Sequence, residues 1–155
     1  MDEVLDYWFG APATNAEEYG RKIRRWYMGG AALDAEIVQR FGPLVERALA
    51  GELDVWAQTA RGRLALIVLL DQFTRSVFRD NARTYAGDAK AQALAVAGLD
   101  QGLERELTIE ERNFMIMPLL HAEDIAMQER AVAAMAKLAS DAPDWQKPLD
   151  RKSVV

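Results

Sequence analysis

Apolar positions in this chain recur at three- and four-residue spacing, and no stretch alternates with the two-residue period that a half-buried strand requires. The expected fold class is all-α. A first short helix covers about Asp2 to Phe9 and stops at Gly10 and Pro12, because glycine ends helices cheaply and proline cannot continue one. Thr14-x-x-Glu17 has the form of a capping box and opens a helix through about Tyr27, ended by Gly29-Gly30. The next helix runs from about Asp34 to Leu49, with a kink expected at Phe41 to Pro43 where proline removes a ladder bond. Another begins after Thr59 or Ala60 and reaches about Phe78. Residues 80–87 read as a polar loop, and Asp88 stands where an N-cap belongs for a helix from Ala89 to about Asp100. Thr108-x-x-Glu111 is a second capping box, starting a helix that Pro118 interrupts. A last long helix carries Ile125, Val132, Met135, Ala136 and Ala139 on one face and ends near Ser140. This gives one domain over 1–143, with 144–155 aperiodic and expected to be loosely held.

A weak internal echo runs through these elements. Ala48-Leu49-Ala50-Gly51 precedes the apolar run Leu64 to Leu70 and then Asp71, much as Ala95-Val96-Ala97-Gly98 precedes Phe114 to Leu120 and then His121. An interval of roughly 47–50 residues lies near the upper end of helical-repeat periods and points to stacked antiparallel helix pairs. If the echo is structural, Asp71 and His121 occupy equivalent ends of two helices.

Composition narrows the function classes. Half of the 155 residues are apolar and 28% are charged, which excludes disorder and fibre. The chain has no cysteine, so disulfides, thiol catalysis, Fe–S clusters and cysteine-bound zinc are excluded. A net charge of −5 argues against broad nucleic-acid affinity. The acidic start Met1-Asp2-Glu3 lacks the features of a signal peptide, and the run Leu64 to Leu70 is far short of the roughly 20 residues of a membrane span. A cytoplasmic protein without membrane or nucleic-acid partners is expected, of unknown oligomeric state. The basic run Arg21-Lys22-Ile23-Arg24-Arg25 reads as a solvated helix face, and Trp8, Phe9, Trp26, Tyr27 and Trp56 as packing aromatics.

The informative helix is the one through Leu64 to Phe78. Leu66, Leu69, Leu70, Phe73 and Val77 share its core face, while the opposite face starts apolar with Leu64 and Val68 and continues as Asp71, Gln72, Arg75 and Arg79. A polar stripe that extends a covered face is itself partly covered, and its charges must be paired. Asp71 and Arg75 stand at i,i+4, as do Arg75 and Arg79, so one carboxylate is expected to meet two guanidinium groups and the stripe to carry surplus positive charge. A second cluster opens the last helix: His121, Asp124 and Gln128 share a face, whereas Glu123 falls on the far side with Arg130 and Lys137. A lone histidine beside Glu123 and Asp124 lacks the spacing of known zinc sites, and neither a metal nor a cofactor is expected.

Leu5-Asp6-Tyr7-Trp8-Phe9-Gly10, the segment Leu66 to Arg79 with its core Asp71-Gln72-Phe73-Thr74-Arg75, and His121-Ala122-Glu123-Asp124 resemble the bacterial family known as domain of unknown function 924. The resemblance covers about Val4 to Leu138. It implies a tetratricopeptide-like helical array, brings no activity with it, and places Asp71, Gln72, Arg75, Phe78, Arg79, Asp88, His121, Glu123 and Asp124 at motif positions. Ala122 departs from a usual serine, removing a probable N-cap hydroxyl, and a second histidine-containing motif expected beyond this point is missing from the final residues, which reads as a truncated or aberrant end.

Two functions remain open at this level. The first is a binding module for a small anionic ligand or an acidic peptide, built on Asp71, Gln72, Arg75, Arg79, Asp88, His121, Glu123 and Gln128, because guanidinium groups suit carboxylates and phosphates. The second is a hydrolase-like enzyme in which His121 is the base, Asp124 orients it and the arginines stabilise developing negative charge. Structural ion pairs at Asp71, Arg75 and Arg79, a helix-start role for His121 and a capping role for Asp88 are the alternatives to any site.

Overall fold

Thr59 accepts a hydrogen bond from the Gly62 amide and starts the rod on which the molecule is built. In the computed structural model, which describes residues 1–147, that rod comprises α4 (Ala60–Ile67), a π-helical stretch Val68–Phe73 and α5 (Thr74–Val77). Every residue from Gly62 to Asp71 is buried. A helix that is apolar on all sides needs neighbours on all sides, and the remaining helices supply them. These are α1 (Asp2–Trp8), α2 (Ala16–Met28), α3 (Gly30–Leu49), α6 (Asp88–Asp100), α7 (Ile109–Leu120) and α8 (Ile125–Asp141). The chain is all-α, with no strand among the described residues.

Around the rod, α1, α6 and α7 pack on α4, whereas α3 packs on the π-helical stretch and α5. The core is continuous, from Val4, Leu5 and Trp8 through Phe41 and Phe73 to Phe114, Met115 and Ile116. Trp8 meets Phe73 and Phe114 edge-on, with ring centroids 5.5 and 5.6 Å apart, the geometry that aromatic quadrupoles favour. Trp8, Phe9 and Trp26 are buried as expected, but Tyr27 is exposed. The basic run divides. Arg21 and Arg24 face solvent, while Lys22 turns inward to the buried Glu110 at 2.7 Å.

Several boundaries differ from the sequence reading, for local reasons. Asn15, not Thr14, caps α2, because its side chain accepts from the Glu18 amide while Thr14 binds the Glu18 carboxylate. The helix expected from Asp34 begins at Gly30, whose positive φ of 64° allows the chain to turn directly out of α2. Pro43 and Pro118 both lie within their helices. The Thr108/Glu111 capping box forms in full. The face of α8 expected to be apolar and inward is rotated. Ile125 and Val132 are exposed, and Ala131 and Leu138 are the buried residues. Beyond α8, Trp145 sits edge-on to Tyr19 in a short 3-10 turn, Asp144–Gln146; the rest of the expected loose tail, 148–155, lies outside the described residues.

Candidate functional site

The rod changes character where its polar residues begin. Over Val68–Phe73 its backbone widens into a π-helix, a rare geometry found mostly as single turns and frequently at functional sites. The wide turn carries Asp71 and Gln72, and Thr74 ties its end by donating through Oγ1 to the Leu70 carbonyl at 2.9 Å.

Asp71 is 1% exposed, so its carboxylate must be satisfied by protein. Oδ2 accepts from Gln72 Nε2 at 2.8 Å. Oδ1 faces His121 Nδ1 at 3.5 Å and Arg75 Nη2 at 3.9 Å. His121 reaches it because it is the C-terminal cap of α7, which packs beside α4. The two polar clusters of the sequence therefore form one site.

Arg75 is the second organising group. It grips Asp88 with both terminal nitrogens, at 3.0 and 3.3 Å, donates to the Thr84 carbonyl at 2.6 Å, and lies 5.3 Å from the centroid of the Tyr85 ring. These contacts hold the segment between α5 and α6 against the rod. Gly87 completes the closure, since it sits so near the Leu70 carbonyl that a Cβ could not be placed there.

Between these elements lies an open cleft of about 760 Å³, lined by Arg75, Tyr85, Asp88, Ala89, Gln92, His121 and Glu123. His121 is the imidazole on its wall, 43% exposed, with the buried Asp71 beside it. The Asp71 carboxylate raises the His121 pKa above the ordinary histidine value, outweighing partial burial and the nearby Arg75 charge, which act in the opposite sense. With Nδ1 on Asp71, Nε2 has no protein hydrogen-bond partner among the described residues. That arrangement turns one ring nitrogen toward Asp71 and the other away from it.

Other expected members fall elsewhere. Arg79 does not meet Asp71. The helix ends at Val77, so the i,i+4 relation does not extend to it, and its guanidinium pairs with Asp34 on α3. Asp34 also accepts from Ser76; burial pushes its carboxyl up, and these hydrogen bonds outweigh that and hold it below the usual range. Asp124 does not orient His121. A four-residue break separates α7 from α8, and Asp124 is the N-cap of α8, accepting from the Ala126 and Met127 amides. Ala122 is buried in that break and is not the cap. Gln128 donates to the Ala122 carbonyl at 2.6 Å and braces the same turn. Glu123, placed by periodicity on a far face, lines the cleft instead. Asp88 is the first residue of α6, with Gly87 as cap, so its carboxylate is free to bind Arg75. The expected surplus of positive charge is not found at this cleft, where Arg75 lines the wall with Asp88 and Glu123 and has Asp71 at 3.9 Å.

The sequence profile of a family described as a bacterial protein of unknown function (DUF924) matches residues 4–154. The chain belongs to this family. A solved structure of a protein of unknown function from Agrobacterium tumefaciens is similar in fold, with a TM-score of 0.76 and 32% sequence identity, covering 94% of this chain and 75% of the other. No curated protein matches the chain.

In this family member the sequence reading missed Tyr85, Ala89 and Gln92. Gln92 was within reach, since it lies at i,i+4 from Asp88 and so shares its helix face. Tyr85 was not, because it stands in a loop without periodicity. Among the described residues no group of three or more His, Asp or Glu side chains is placed to hold a metal ion, and no helix is long and apolar enough to cross a membrane.

Proposed function

We propose that the cleft is the active site of a small-molecule hydrolase-like enzyme in which His121 acts as general base and Asp71 orients it. The observation that carries this reading is the buried Asp71 carboxylate beside Nδ1 of a histidine whose ring lines an open cleft of about 760 Å³. No serine lines the cleft, so water is the nucleophile, activated by Nε2. Arg75, pinned by Asp88, supplies positive charge beside the reacting group. Asp88, Glu123 and Gln92 offer acceptors on the same wall, which suits a substrate that presents hydrogen-bond donors. The same acidity weighs against the small anionic ligand or acidic peptide that an arginine surplus would have attracted. A cytoplasmic location and a helical-repeat-like ancestry are part of the same proposal.

The test is hydrolysis of a panel of nitrophenyl esters, amides and phosphodiesters by the wild type, His121→Gln and Asp71→Asn. A turnover that falls by about 10²- to 10⁴-fold in His121→Gln supports general-base catalysis. Equal turnover in wild type and His121→Gln, or no turnover of any substrate together with anion-induced stabilisation that Arg75→Ala abolishes, would favour the binding module instead.

A further inference from the structure

A second cleft, of about 460 Å³, shares no lining residue with this one and is not used by the proposed reaction. It is formed by the Leu5-Asp6-Tyr7-Trp8-Phe9-Gly10 segment together with α2 and α3. Arg25 and Arg40 converge there on one ring, their guanidinium carbons 4.6 and 4.7 Å from the Tyr7 centroid, and Arg25 also lies 5.8 Å from the Trp8 ring.

The charges and donors in this cleft are incompletely matched. Arg25 is half-buried, yet its one hydrogen bond among the described residues is to the Trp8 carbonyl at 3.2 Å, and no carboxylate lies within 4 Å of it. A partly desolvated cation without a counter-charge is costly unless something supplies one. Arg40 has only a long contact of 3.7 Å with Glu36, and both are exposed. The Nε1–H of Trp8 is shielded from solvent without a partner, and the Tyr7 hydroxyl, also shielded, has Glu36 and Arg25 beside it. Asp6 and Glu36 also line the cleft, but neither approaches Arg25 within ion-pair distance, and Lys22 is already engaged by Glu110. The charge left without a counter-ion among the described residues is that of Arg25.

We propose that this cleft is an oxyanion-binding site, in which the half-buried Arg25 pairs with a carboxylate or phosphate group and Arg40, at the same Tyr7 ring, adds to the positive charge that holds it. A guanidinium group presents several N–H donors in a fork suited to planar or tetrahedral oxyanions. The site is separate from the His121 cleft and stands or falls independently of the catalytic proposal.

Isothermal titration of the intact chain with inorganic phosphate in one arm and citrate in the other tests it and separates the two anion classes. The expected result is saturable binding of at least one probe, weakened about tenfold or more in both Arg25→Gln and Arg40→Gln and unchanged in His121→Gln. Arg40 is exposed, so its variant remains informative if Arg25→Gln does not fold. The proposal is overturned if neither probe binds the wild type saturably, or if binding survives undiminished in either folded arginine variant.

Discussion

His121 Nδ1 lies 3.5 Å from Oδ1 of Asp71, across the junction of α7 and the π-helical turn of the rod. One partner is almost fully buried and the other is partly open to the cleft, so the pair transmits a fixed orientation from the core to the surface. Its members also have different neighbours, and this separates their mutational effects.

For Asp71, truncation to Ala removes the acceptor of Gln72 and the counter-charge of His121. Breaking a buried pair typically costs about 3–5 kcal/mol, and since Arg75 keeps Asp88 the loss is expected at the lower end, about 3 kcal/mol. Urea unfolding midpoints measure it. In the double variant Asp71→Ala/Arg75→Ala the losses should be nearly additive, because the best bonds of Arg75 go to Asp88 and Thr84. Substantial recovery in the double variant would show instead that Asp71 and Arg75 are each other's main partners.

Gly87→Ala is expected to destabilise by about 1–3 kcal/mol, the cost of forcing atoms into a packed region, because the new Cβ meets the Leu70 carbonyl. Thermal melting checks this. A melting temperature equal to that of the wild type would mean that the 78–88 segment does not press on the rod.

The Arg79–Asp34 pair makes a contrasting case. Arg79 is more than half exposed, so Arg79→Ala should cost less than about 1 kcal/mol and leave hydrolysis unchanged. A large loss of turnover in this variant would return Arg79 to the site.

How much of this was legible in the sequence depends on where periodicity holds. The buried rod and the capping box at Thr108 followed from apolar spacing on regular helix, and the internal echo put Asp71 and His121 at equivalent helix ends without deciding whether they meet. The reading failed where the helix stops being regular. Arg79 was carried onto the stripe by an α-helical phase that ends at Val77, and Asp124 was joined to His121 across a break that periodicity cannot see. The exposed Ile125 and Val132 show the same limit, since a hydrophobic face predicts burial only when a neighbour covers it. Tyr85 and the Arg25–Tyr7–Arg40 cluster depend on contacts between distant segments, which one-dimensional spacing does not encode.

The central claim is that Asp71 tunes and orients His121, and the chain offers a clean probe because it contains one histidine. The folded state favours the imidazolium, since the pKa is raised from 6.5. Its stabilising contribution is therefore complete below a pH of about 6.5 and is lost as the pH rises through the folded value. With the ring 43% exposed, solvent screening keeps that contribution below about 1 kcal/mol. The direct measurement is an NMR titration of the His121 ring protons in the wild type and in Asp71→Asn. The account predicts a wild-type pKa above the ordinary histidine value that falls when the charge on residue 71 is removed. The same pKa in both proteins would contradict it.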